Sequence, residues 1–155
     1  LRAAVRAQST SAAKKAPKVS ELSIAQVLKT TPGVFKENAK NVVIKDLKRG
    51  NTRAGFPGVK AVAKDVFSKP GTRGRSHKCS IVAMDGKPVY LSKAAYFSCD
   101  CEAFLYWCEV ALHAKGAAAI KFSNGEAPDT RNPRKLPMIC KHLIELAYTC
   151  KEHKF

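Results

Sequence analysis

Two short cysteine pairs constrain this chain more than anything else in it. Cys99-x-Cys101 is followed, after 38 residues, by Cys140-x-His142. Zinc takes four soft or borderline ligands in a tetrahedron, and thiolate and imidazole are the donors it prefers. A Cys-x-Cys at the end of a strand can supply two thiolates if the chain turns sharply there. A Cys-x-His entering a helix can supply the other two. If Cys140 sits in the turn before that helix, it need not share a face with His142. Lys141 between them favours the thiolate form. The expected metal ligands are therefore Cys99, Cys101, Cys140 and His142, with structural zinc as the cofactor. A disulfide, for instance from Cys99 or Cys101 to Cys140, is the alternative, and metal analysis separates the two. Cys108 and Cys150 lie on apolar helical stripes and read as core thiols. Cys79 lies on a strand, as core or as a disulfide partner in an oxidising particle. His77, His113 and His153 have no partner at ligand spacing and read as solvent-exposed.

The rest of the chain divides by composition. Residues 1–19 are rich in Ala, Ser, Lys and Arg and hold no acidic residue. They read as a basic flexible arm, a composition shared by mitochondrial leaders. Residues 20–76 form a basic helix and loop region. Ser20 or Ser23 can cap a short helix carrying Leu22, Ile24, Val27 and Leu28. Ser23 with Gln26 fits the capping-box spacing, and Pro32-Gly33 ends the helix. Residues 34–49 read as a helix, or as a helix turning into a strand at Asn41–Lys45. From Arg49 to Ser76 the expectation is long basic loops around one short element, Val59 to Phe67. Residues 77–155 form the zinc-binding αβ domain. Alternation about Cys79, Ile81 and Ala83 predicts a strand, and Asp85-Gly86 predicts a hairpin turn. Val89 and Leu91 are expected on the return strand, and Ala95 to Cys99 on a third. Phe104, Leu105, Cys108, Ala111 and Leu112 recur at helical spacing up to a stop at Gly116. A polar insertion, 116–137, precedes a last helix that starts near Pro137 and buries Ile139, Leu143, Leu146, Ala147 and Cys150. The fold class is thus α+β: a small antiparallel β-hairpin or meander packed with two C-terminal helices around a structural zinc, preceded by a basic N-terminal arm.

Charge points to the other half of the molecule. The chain holds 28 Lys and Arg against 12 Asp and Glu, a net charge of +16. Residues 40–78 alone carry 11 basic and 2 acidic residues, or +9, whereas 79–155 carry 10 and 8, or +2. A field of that strength attracts nucleic acid, anionic lipid or an acidic protein surface. The residues expected to contact nucleic acid or an acidic partner are Lys45, Lys48, Arg49, Arg53, Lys60, Lys69, Arg73, Arg75 and Lys78. Phe35, Phe56 and Phe67 are the only aromatics among these basic stretches, so stacking on single strands has little support there. No run of about 18 apolar residues occurs, which excludes a membrane span. No uninterrupted apolar segment follows the first basic residues, as a secretory signal requires. HExxH, GxSxG and Walker-type motifs are absent, and a shell closed by four protein ligands leaves no place for substrate. The chain is expected not to be an enzyme.

The segment YFSCDCEAFLYW…LPMICKHLIELA, residues 96–147, resembles the SWIM zinc finger, C-x-C-x(n)-C-x-H. The four ligand positions match, Phe104 matches the aromatic after the second cysteine, and Cys140-Lys141-His142 matches the C-K-H string. The resemblance covers about a third of the chain. The gap between the two pairs departs from the common pattern, being far longer and holding a helix and SNGEAPDTRNP. Long-gap forms with such strings resemble uncharacterised tailed-bacteriophage proteins. The resemblance implies a non-enzymatic structural or assembly protein of a virion. Its basic arm and loops would contact other virion proteins, packaged DNA or further copies of itself. A cytoplasmic SWIM-type DNA-binding module is the alternative. The location implied is accordingly a virion or a host cytoplasm.

Overall fold

A computed structural model describes residues 19–66, 74–126 and 130–155. The expected basic arm therefore lies outside the described residues except for Val19, as do Lys69 and Arg73.

Ser23 caps α1 (Ile24–Thr30), and its hydroxyl and the Gln26 side chain form the reciprocal capping box that their spacing predicts. Thr31 ends the helix in an extended conformation ahead of Pro32, and α2 (Gly33–Ala39) follows. The chain then enters a four-stranded antiparallel sheet of order β1-β2-β3-β4 (Val42–Asn51, Pro57–Asp65, Ser76–Ala83 and Ala95–Cys99). A π-helical turn, Phe104–Cys108, runs into α3 (Glu109–Ala114), where Gly116 takes φ +72° and stops the helix as its position predicts. α4 (Lys141–His153) closes the fold and packs against all four strands. The chain is thus α+β, with the antiparallel meander and C-terminal helices set beside a Cys/His cluster.

The period-2 alternation of the strands decides which residues meet α4. Val59, Ala61 and Ala63 of β2, Cys79, Ile81 and Ala83 of β3, and Ala95, Phe97 and Cys99 of β4 are all buried. In register they form the rows Val59–Ile81–Phe97 and Ala61–Cys79–Cys99. Against them α4 buries Leu143, Ile144, Leu146, Ala147 and Cys150. Each large aliphatic side chain so buried contributes about 1.5–3 kcal/mol. The alanines of the covered face leave the helix room to approach.

Three expectations change. In the basic stretch expected as loops around one short element, β1 runs on to Asn51 and the element itself is a full strand, β2, over Pro57–Asp65. Lys and Ala, both poor strand formers in isolation, mask the alternation of β2. A tight turn joins the two strands, with the Thr52 N–H donating to Phe56 O at 2.8 Å. The hairpin after Asp85-Gly86 returns through β4, while Val89–Leu91 forms a 3-10 turn. Pro88 offers no donor for a ladder, and the Asp85 carboxylate gathers the Ser92 hydroxyl and the Lys87 and Lys93 N–H groups into a closed loop. The boundary expected at 76/77 falls between hydrogen-bonded neighbours, since β2 pairs with β3 across it.

The two sheet edges differ. Along β4, the Phe97 N–H donates to Ala117 O and the Ala95 N–H to Leu22 O, which covers that edge with loop. β1 is interrupted between Lys45 and Lys48 by a bulge in which Asp46 has φ +51°. Bulges and lysines both discourage pairing with another chain.

Candidate metal centre

Cys99, Cys101, Cys140 and His142 come together at one end of the covered sheet face. Their ligand atoms all lie within 4.8 Å of one another, and all four residues are buried. Cys99 is the last residue of β4, and the chain turns at once so that Cys101 faces the same side. The Phe104 N–H donates to Cys101 Sγ at 3.3 Å, fixing that thiol at the start of the π-helical turn. Cys140 is the extended N-cap of α4, and His142 lies in its first turn. The helix starts at Lys141 and not near Pro137, so one donor precedes it and the other lies upon it, and the two need not share a helical face.

The donor chemistry fits a metal ion. Tetrahedral thiolates about 2.3 Å from a metal stand roughly 3.8 Å apart, close to the spread found here. Cys99 Sγ lies 3.8 Å from His142 Nδ1. All six cysteines are free and buried. Among themselves the three cluster thiols share protons unevenly. Hydrogen bonds donated by Cys140 and Cys99 hold the Cys101 thiol far below its ordinary pKa, against the opposing effect of burial. Cys99 is raised chiefly by its bond to Cys101, and Cys140 by burial. One thiolate is thus strongly favoured, and a cation must displace the remaining protons. Cys108 and Cys150 are core thiols, as their stripes predict. Burial pushes Cys150 up to about 11 and Cys79 up to about 12, so neither is a ready thiolate.

His142 has a second partner. Its Nε2 stands 2.9 Å from Asp65 Oδ1, which leaves Nδ1 facing the thiols. Metal-bound histidines commonly donate their other N–H to a carboxylate, which sets the tautomer and the ring orientation. Burial raises the Asp65 pKa, but the hydrogen bonds and charges of Lys141 and His142 outweigh it and the net shift is downward. Lys141 Nζ therefore serves Asp65, at 3.1 Å, instead of acting directly beside the thiolates as its place in sequence suggests. His77 is not freely exposed either. Its ring lies tilted by 43° against that of His142, with centroids 4.6 Å apart, and it bonds Asp100 Oδ1 through Nδ1 at 3.1 Å. Asp65, His77 and His142 form a second cluster of metal-ligating side chains among the described residues. Because His142 is shared, we read Asp65 as its orienting carboxylate. His113 and His153 are exposed, as expected. Asp65 and Asp100 carry no motif in sequence; only the pairing of β2, β3 and β4 brings them here.

The basic residues separate into two groups. Cross-strand pairing puts Lys45, Lys48, Lys60 and Lys78 on the sheet face opposite α4, and Lys64 joins them. Lys48 stands directly opposite Lys60, and Lys45 and Lys78 flank Val62. Arg49 belongs to the other face, where its guanidinium lies 4.3 Å from the Phe155 ring centroid. Arg53 is in the β1–β2 turn, and Arg75 reaches Glu102 at 3.9 Å. Among the described residues, Lys45, Lys48, Lys60, Lys64 and Lys78 make no ion pair.

No helix of the described residues is long and apolar enough to cross a membrane. Comparison with family models, curated proteins and solved structures finds no match to the chain.

Proposed function

We propose that this protein is a non-enzymatic, zinc-stapled module that binds nucleic acid through the lysine face of its sheet. The observation that carries the reading is the direct Lys48–Lys60 pair within a row of lysines that make no ion pair among the described residues. Like charges placed opposite one another across two strands cost stability. That opposition does not stabilise the sheet, whereas a polyanion reverses the sign of the interaction. Zinc is the metal of the reading because three thiolates and one imidazole match its structural sites. Such a shell is closed, so the ion contributes folding energy and no chemistry. The resemblance to phage proteins makes packaged DNA in a virion one such partner, and recovery at fixed stoichiometry from purified particles tests that setting.

Two measurements test the reading. Metal analysis is expected to find about one zinc per chain, and less than about half an equivalent counts against the staple. DNA affinity is expected to fall steeply with salt, because each phosphate contact releases a counterion. Reversing two charges (Lys48→Glu with Lys60→Glu) should weaken binding at least about tenfold and flatten the salt dependence. Affinity that ignores both salt and the double reversal would sink the nucleic-acid reading.

A further inference from the structure

Beside the lysine face runs a groove of about 650 Å³ whose other wall comes from the long insertion. Lys48, Lys60 and Lys78 line it from the sheet, and Lys121 and Phe122 from the insertion. Phe122 is 48% exposed, an apolar ring presented to solvent among cations. The backbone beneath it is held. Glu109, wholly buried on α3, accepts hydrogen bonds from the Lys121 and Phe122 N–H groups, the latter at 3.1 Å. Two carboxylates also border the groove. Asp100 accepts from His77 Nδ1 and the Lys78 N–H, and Asp46 sits in the β1 bulge. Four lysines against these two leave the groove cationic.

A positive track beside an exposed aromatic ring on an anchored backbone suits a strand whose bases are free to stack. In a duplex the base faces are already stacked inside the helix, and only its phosphates could use this surface. We propose that the groove binds single-stranded nucleic acid, with a base stacked on Phe122 and phosphates on Lys48, Lys60, Lys78 and Lys121. The inference rests on the reading of the lysine face as a nucleic-acid surface and adds which form of the polymer it takes. Phe122 lies more than 40 residues from Lys48, Lys60 and Lys78 in sequence, so only the fold joins the ring to those lysines.

The test uses the full metal-loaded chain and fluorescence anisotropy with a labelled oligothymidylate of about 12 nucleotides, within the usual site size, and with a duplex of equal length. The single strand is expected to bind more tightly than the duplex. Phe122→Ala should weaken single-strand binding by about tenfold or more, as loss of one base stack does. It should leave the salt dependence and the duplex affinity unchanged, while Phe122→Trp keeps the single-strand affinity. Lys60→Gln should lower the salt slope by about one counterion. An unaltered melting temperature confirms that Phe122→Ala is folded, as expected for an exposed ring. Duplex affinity equal to that for the single strand, or indifference to Phe122→Ala, overturns the inference and leaves the lysine-face reading standing. Failure to bind either form overturns both.

Discussion

His142 is the residue on which the metal centre turns, because both of its ring nitrogens are engaged. Nδ1 faces three thiols, and Nε2 meets Asp65, which also holds Lys141. Asp65→Asn keeps the size of the side chain but removes the charge that orients and strengthens the imidazole. Metal affinity, measured by competition with a chelator, should fall by about tenfold to a hundredfold. An affinity equal to the wild type would show that Asp65 does not act through His142. The role of Asp65 was not legible in the sequence, since an acidic residue 77 positions from its histidine carries no spacing signal. The Cys99, Cys101, Cys140 and His142 cluster was legible, because two x-separated pairs restrict the donor type locally.

Between residue and fold, the loop that joins β3 to β4 shows how one side chain replaces a hairpin. Asp85 accepts from Ser92 Oγ at 2.8 Å and from the Lys93 N–H at 2.9 Å. Burial raises its pKa, but these bonds together with that of the Lys87 N–H outweigh it and hold the carboxyl below its ordinary value. The depressed value means that the contribution to stability is present above the unfolded carboxylate pKa and is lost as pH falls through the lowered folded one. Asp85→Ala should destabilise the protein by about 1 kcal/mol at neutral pH. The melting curves of variant and wild type should converge in acid below the carboxylate range. A constant difference at all pH values would show that packing, not the carboxylate, is responsible. Other elements followed from local rules. The Ser23–Gln26 capping box, the Gly116 stop and the buried stripe of α4 are set by neighbours within a turn or two. β2 was obscured because its inward positions beyond Val59 are alanines, whose burial depends on a helix arriving from the far end of the chain.

For the whole molecule, one sheet and one covering helix share a single core, and the Cys/His cluster brings the end of β4 to the start of α4. Ligation by such a set contributes on the order of 10 kcal/mol in isolated fingers, comparable with the entire stability of a domain this size. Metal removal should therefore cost the fold as a unit. Amide exchange protection in β2, β3, β4 and α4 should collapse together when a strong chelator strips the ion, and return when zinc is restored. A chelator-stripped protein with an unchanged melting curve and unchanged protection would show that the apolar core suffices alone. Cooperative loss across β2 and β3 would also place the folding unit across position 76/77.

What the chain determines without its partners in space is whatever acts over a few residues: donor type and pairing at the four ligands, the caps, the stops, the stripe of α4 and the overall surplus of positive charge. Tertiary structure decided the rest. Strand register placed Asp65 and His77 beside His142, split Arg49 from the lysines, and put Lys48 against Lys60. Glu109 then set Phe122 beside that face, giving the basic surface an aromatic from the distant insertion. Register and long-range anchoring depend on contacts between residues tens of positions apart, and no local pattern records them.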